Sequence, residues 1–275
     1  MGISIIKIAC FTAIILLLLC AIPYILLAYI VRIFNKPLSI KMTSCWAFVY
    51  WSLFGIIFRR SYVLKGSNVL KHKTNYLVVS NHIGSMDFMV LNELFREKRM
   101  LQNLKYIVKY QLRFIPIFYQ MISLANFLIV KRDFQQDKKR IIEYLETMAK
   151  HKIPSCLILY PEGSRFTEEK KEKCWEFCER TGNVKLSNVL FPRFRGIELI
   201  GSKVNKDYIT DIADITIIHK NKNVPPLWRV LFTEFKEEIV FDIRTIPLID
   251  VKNYKEFLTE SFIRKDNLIE QIRKK

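Results

Sequence analysis

A chain of 275 residues, 51% apolar and 25% charged, is too apolar for a disordered polyelectrolyte and long enough for one large domain with an anchor. Its 44 Lys and Arg against 26 Asp and Glu leave a formal charge of +18 and call for an anionic partner. No helix-turn-helix, zinc-finger or RNA-recognition motif accompanies that charge, which argues against nucleic acid as the partner, and the six cysteines, without paired histidines, give neither a disulfide framework nor a metal site.

The apolar excess is concentrated at the N-terminus. Residues 8–31 carry no charge, contain Ile-Leu-Leu-Leu-Leu at 15–19, and are long enough to cross a bilayer as a helix. A cleaved signal peptide has a shorter apolar core and a small-residue cleavage site, so a retained membrane segment, kinked at Pro23, is expected. A second apolar run, 42–58, lies between Lys41 and Arg59-Arg60 and holds Trp46, Tyr50 and Trp51. It is slightly short for a span and fits equally a partly embedded helix returning along the first. If only the first run spans, Arg32, Lys36 and Lys41 against Lys7 put the C-terminal body in the cytosol, where the thiols stay reduced.

Beyond Arg60 strands and helices alternate. The pattern predicts a strand over 76–80, a helix over 87–96 and a strand over 104–108. The uncharged stretch 114–130 reads as a buried or membrane-facing helix followed by a strand over 127–130. An amphipathic helix over 136–150, a strand over 156–160 and a helix over 168–181 follow; 191–196 reads as a loop, 212–218 and 238–243 as strands, and the tail from 254 as an amphipathic helix. This alternation predicts an α/β fold with a mostly parallel sheet flanked by helices. The expected division is 1–60 for N-terminal membrane helices, 61–220 for the α/β domain and 221–275 for a C-terminal strand and helix.

The candidate chemistry sits at strand ends, where ligands gather in open α/β sheets. Asn81-His82-Ile83-Gly84-Ser85-Met86-Asp87 joins the strand over 76–80 to the next helix. On one continuous helix His82 and Asp87 would point about 140° apart, so they meet only if the chain turns, and Gly84-Ser85 supplies a turn. A carboxylate that accepts from one imidazole nitrogen frees the other as a base. Lys131-Arg132 ends a second strand, Glu162-Gly163-Ser164-Arg165 a third, and Pro192-Arg193 with Arg195 lies in the loop-like stretch. No acidic residue precedes Asp87 or lies between Glu97 and Asp133. A basic mouth around a histidine–carboxylate pair suits a phosphate-bearing ligand at an anionic membrane surface.

His82-Ile-Gly-Ser-Met-Asp87 resembles the His-x4-Asp motif of the glycerolipid and lysophospholipid acyltransferases, and Asn81 before it also fits. The apolar strand ending at Arg132, the block Glu162-Gly163-Ser164-Arg165 with Ser for the usual Thr, and Val189-Leu-Phe-Pro192-Arg193 are similar to that family's second, third and fourth blocks. Asp214-Ile-Thr216 and the Phe262–Asp266 tail resemble the lysocardiolipin and lysophosphatidylinositol acyltransferase branch. Asn126 stands where a small residue, often Gly, is usual.

The resemblance implies the glycerol-3-phosphate acyltransferase-like fold and transfer of an acyl group from acyl-CoA to a lysophospholipid hydroxyl. His82 would be the base and Asp87 its partner. Asn81, Arg132, Glu162, Gly163, Ser164, Arg165, Pro192 and Arg193 would bind or position the substrate. No bound cofactor or metal is implied; acyl-CoA is a co-substrate, the acceptor and the bilayer are the other partners, and the cytosolic surface of the endoplasmic reticulum is the implied location. A CoA-independent transacylase and a catalytically inactive lipid-binding protein are the alternatives. A serine hydrolase is disfavoured because no Gly-x-Ser-x-Gly elbow is present.

Overall fold

The computed structural model describes residues 5–131, 133–221, 224–233 and 235–274. It opens with two long apolar helices, α1 (Ile5–Phe34) and α2 (Lys36–Ser61). Asn35 joins them: its side chain accepts the Leu38 N–H at 3.0 Å, and Pro37 occupies the first turn of α2. There follow β1 (Tyr62–Lys65), β2 (Tyr76–Ser80), α3 (Asp87–Glu97), β3 (Leu104–Lys109), α4 (Phe118–Leu124), β4 (Leu128–Val130), α5 (Phe134–Lys150) and β5 (Cys156–Leu159). The remainder comprises α6 (Glu168–Thr181), α7 (Phe194–Lys203), β6 (Asp211–His219), α8 (Leu227–Phe232), β7 (Glu237–Pro247) and α9 (Tyr254–Lys274).

The strands form one seven-stranded sheet in the order β1-β7-β6-β2-β5-β3-β4. From β6 to β4 all neighbours are parallel; β7 runs antiparallel to β6 and carries β1 parallel to itself. The sheet is therefore mostly parallel and covered on both faces, as the strand–helix alternation requires. Central β2 is buried along its whole length. Its Tyr76 and Val78 pack with Phe58 of α2 and Met89, Leu91 and Phe95 of α3. Its Leu77 and Val79 face the opposite layer, with Leu145 of α5, Ile200 of α7 and Phe262 of α9.

The C-terminal helix is tied through the sheet by buried charge. Lys265 Nζ donates to Asp214 Oδ1 and to the Ile215 carbonyl, each at 2.6 Å, and Arg244 Nη2 reaches Asp214 Oδ2 at 2.6 Å. Burial works against the Asp214 carboxylate, but Lys265 and Arg244 hold its pKa below the usual range. Asp266 accepts the backbone N–H groups of Ser187 and Asn188, so the same helix fixes the loop that leads to Pro192.

Three expectations change. Pro116 and the Tyr110–Phe114 3-10 turn break the uncharged stretch, leaving only the short α4 where a longer helix was expected. The stretch taken as a loop turns helical at Phe194, because Ile197, Ile200 and Gly201 form a buried face at helical spacing. Four-residue β1, unanticipated, takes its place by pairing with β7.

Helices α1 and α2 form a hairpin, and each is long and apolar enough to cross a membrane. The hairpin lies along the body. At one end buried Lys7 donates to Ser61 Oγ at 2.8 Å and to the carbonyls of Val230 and Thr233 at 3.1 and 2.6 Å. Toward the other end Ala21, Ile25 and Ala28 pack on Leu124, and Arg32 Nη1 reaches the Leu124 carbonyl at 3.3 Å. The outer side of α1 leaves Leu16, Leu19, Leu26 and Ile30 exposed.

Candidate active site

The carboxyl ends of β2 and β5 adjoin in the sheet, and the segments that leave them carry the site. The Asn81 side chain closes a two-bond ring with β6: Nδ2 donates to the Ile217 carbonyl and Oδ1 accepts the Ile217 N–H, both at 2.8 Å. Asn81 is thus a splice that continues the β2–β6 pairing past Ser80. His82 comes next, and the chain then turns so that Asp87 opens α3.

Asp87 is completely buried and heavily bonded. Its Oδ2 lies 2.9 Å from His82 Nδ1 and accepts the N–H groups of Ile83 at 2.6 Å and Gly84 at 2.9 Å. Its Oδ1 lies 3.1 Å from Nε2 of His219. Burial alone would raise the Asp87 pKa, but hydrogen bonds and charge from His219 and His82 hold it below the usual carboxylate range. An ionised carboxylate only accepts, so His82 carries its hydrogen on Nδ1 and His219 on Nε2. The free nitrogen of His82 is then Nε2, on a side chain that is 25% exposed. The imidazole stacks on Tyr160 at 4.3 Å between ring centroids.

His219 belongs to the site and sequence reading missed it. It ends β6, is 1% exposed, and has no hydrogen-bond partner for Nδ1 among the described residues. Only the placement of β6 beside β2 brings it to Asp87, so no local signal marks it.

Glu162 faces the backbone. Oε1 accepts the His82 N–H at 2.7 Å and Oε2 the Leu190 N–H at 3.0 Å. It joins the His82 loop to the segment before Pro192. Burial pushes its pKa up to about 8, against the two N–H donors and Lys265, while nearby Asp87 raises it further. The Phe166 N–H donates to the His82 carbonyl at 2.8 Å, a second tie between these loops.

Gly163 sits at φ +71°, a left-handed conformation that a side chain resists. A β-carbon there would lie 3.4 Å from Arg193 Nε, so Arg193 lies over this turn. The Arg193 N–H donates to the Pro161 carbonyl at 2.9 Å and holds the two loops together. Arg165 and Arg193 are exposed, Ser164 half-buried and Pro192 buried. Arg132 lies outside the described residues. The Gly163 amide is bonded to the Tyr160 carbonyl at 3.0 Å, and those of Ile83 and Gly84 to Asp87. The arrangement can hold an imidazole in one tautomer, with its free nitrogen on a partly exposed side chain.

Comparison with known proteins bears on what that arrangement does. The family model described as Acyltransferase matches residues 61–190. A protein of Arabidopsis thaliana named "Probable 1-acyl-sn-glycerol-3-phosphate acyltransferase 5" is 26% identical over 88% of this chain and 66% of its own length. Lysocardiolipin acyltransferase 1 of Gallus gallus is 25% identical over 86% of this chain and 62% of its own. The chain thus spans a little under two thirds of the length of these relatives. The crystal structure of the 1-acyl-sn-glycerophosphate (LPA) acyltransferase PlsC from Thermotoga maritima superposes with a TM-score of 0.55 at 17% identity, covering 97% of this chain and 98% of that one. The chain therefore has the fold of that acyltransferase, and its residues 61–190, from β1 through both the His82–Asp87 and Glu162–Arg165 segments, are a domain of the acyltransferase family.

Proposed function

We propose that the protein is a membrane-associated acyltransferase that moves a fatty acyl group from acyl-CoA to the free hydroxyl of a lysophospholipid, with His82 as general base and Asp87 as its orienting partner. The carrying observation is the 2.9 Å contact between His82 Nδ1 and Asp87 Oδ2, on an imidazole that remains partly open to solvent. Nε2 takes the proton of the acceptor hydroxyl while that oxygen attacks the thioester carbonyl carbon. The tetrahedral intermediate collapses with cleavage of the carbon–sulfur bond, and the CoA thiolate takes the proton back from the imidazolium. An ester and free CoA leave, and the base is restored. No enzyme nucleophile takes part, because the attacking hydroxyl belongs to the substrate.

Arg165 and Arg193, beside the tight turn at Gly163, bind the acceptor phosphate with the neutral Ser164 hydroxyl as a further donor, the role the family resemblance also implies for Arg132. Asn81, Glu162 and Pro192 fix the loops that carry them. His219 holds the second oxygen of Asp87 and so acts on the base at one remove. The outer side of α1 rests in the membrane surface, the expected surface being the cytosolic face of the endoplasmic reticulum. The names of the relatives support lysophosphatidic acid or a related lysophospholipid as acceptor.

The test is an assay of the purified full chain on a panel of lysophospholipids with several acyl-CoAs, the product read by mass. Product formation should require acyl-CoA; product in its absence would assign a transacylase instead. His82→Ala and Asp87→Ala should each lower turnover by about a hundred- to ten-thousand-fold. Retained activity in both variants would sink the catalytic assignment.

A further inference from the structure

Apart from the His82 site the structure carries an open surface pocket of about 340 Å³ between the α1–α2 elbow, α4, the start of β4 and α5. Three cations from three elements line it: Arg32 in the last turn of α1, Lys36 in the first turn of α2, and Arg140 of α5. Two of them bond to neutral carbonyls, Arg32 Nη1 to Leu124 and Arg140 Nη1 to Ile129, at 3.3 and 3.0 Å. A guanidinium has five N–H donors, so among the described residues one such bond leaves most of each fork unused. The acid in the lining, Glu143, is largely exposed and pairs with Lys139 at 3.8 Å on the α5 surface. Like charges drawn together around one pocket repel, and an anion relieves that repulsion. Tyr119 and Ser123 add neutral hydroxyl donors to the same lining.

The pocket adjoins the elbow, whose Ile33, Phe34 and Leu38 are 79%, 84% and 45% exposed. Apolar tips beside clustered cations match the two levels of a bilayer surface, acyl chains below and headgroup phosphates above. We infer that this pocket binds the phosphate of an anionic phospholipid headgroup, at a place separate from the acyl-acceptor site. The inference rests on the membrane association proposed above. It gives the acyltransferase a lipid contact that selects the membrane it works on while leaving the His82 mouth open to substrate.

Flotation of the full chain with vesicles of phosphatidylcholine, with and without phosphatidylglycerol, tests it. The wild type should float with both and bind the anionic vesicles more tightly. Arg32→Gln/Arg140→Gln should lose about tenfold of that anionic gain and keep its binding to neutral vesicles. Lys138→Ala/Lys150→Ala, on the same helix but outside the lining, should keep most of the gain. Equal losses in the two double variants, or an unaltered gain in the arginine variant, would overturn the site. Arg140→Gln alone, at an exposed helix position, supplies the same comparison if the double variant fails to fold. Phosphorus NMR with inorganic phosphate separates the two sources of the ligand: phosphate bound by the wild type without any anionic gain on vesicles overturns the lipid assignment. A wild type that floats with neither vesicle overturns the membrane reading itself.

Discussion

At the scale of single residues the site is a chain of supports under one imidazole. His82 and Asp87 were legible in the sequence because a strand, a turn and a helix start put them at a sheet edge. Their support was not. His219 is 132 residues from Asp87, and the register that joins them belongs to the sheet rather than to any local pattern. Replacing His219 with Ala leaves a buried carboxylate oxygen without its hydrogen-bond donor, and Asp87 then holds the base less firmly. Turnover should fall about tenfold with KM little changed, and His219→Gln, which keeps an N–H donor, should recover most of it. A loss confined to thermal stability, with turnover intact, would reduce His219 to a core residue. Asn126 shows the reverse case: its φ of +60° explains why a residue tolerant of the left-handed region stands where the resemblance expects glycine. Glu162 gives the pH prediction. Its folded pKa of about 8 exceeds the usual 4.5, so between these values the native state holds a proton that the unfolded chain has released. Stability from this group is therefore full below about pH 4.5 and is lost as pH rises toward about 8. Denaturant titrations across that window should show the decline in the wild type and a flat profile in Glu162→Gln. The variant should also start lower by about 1–3 kcal/mol, because an amide oxygen replaces only one of two acceptors. Asp87 acts in the opposite sense and only at more acid pH, since its lowered pKa loses stability as pH falls through it.

Among the elements, the strands and most helices could be read from periodicity, whereas direction and pairing could not. Alternation along β7 marks which residues face the core, and it is silent on whether the strand runs with or against β6. The packing of α2 on β3 holds a charge that no pattern predicts. Lys105 is 1% exposed and donates to Ser44 Oγ at 2.9 Å. Burial pushes its pKa down to about 8, with Cys156 opposing. Since the folded value lies below the usual 10.5, the native state releases its proton first, and stability rises with pH between about 8 and 10.5. Lys105→Met removes the buried ammonium while keeping a long side chain under α2. It should stabilise the protein by about 1–2 kcal/mol at neutral pH and abolish that rise. Lower stability of the variant in thermal melts would mean that the Ser44 bond outweighs the burial.

For the molecule as a whole the question is how α1 meets the bilayer. Its composition alone allowed a span, and a run of apolar residues says nothing about what lies beside it. The structure ties the helix to one body near both ends, at Lys7 and at Arg32, over a length of about 38 Å. We propose that these ties at its two ends hold the helix flat, with its exposed outer side in the plane of the membrane surface. Ile8, Leu19 and Ile30 are exposed on α1 at equal intervals, and each is a position for an environment-sensitive fluorophore on an introduced cysteine, once exposed Cys20 and Cys45 are changed to Ser. In vesicles, quenchers at graded depth should report a similar depth for all three labels. A spanning helix would instead bury the label at 19 near the bilayer centre and leave those at 8 and 30 near opposite faces, about 33 Å apart. Equal, shallow depths would also fix how the His82 edge is presented, because the same ties that hold α1 flat hold the sheet at one angle to the surface. A deep label at 19 would require Lys7 or Arg32 to leave its partners on membrane binding.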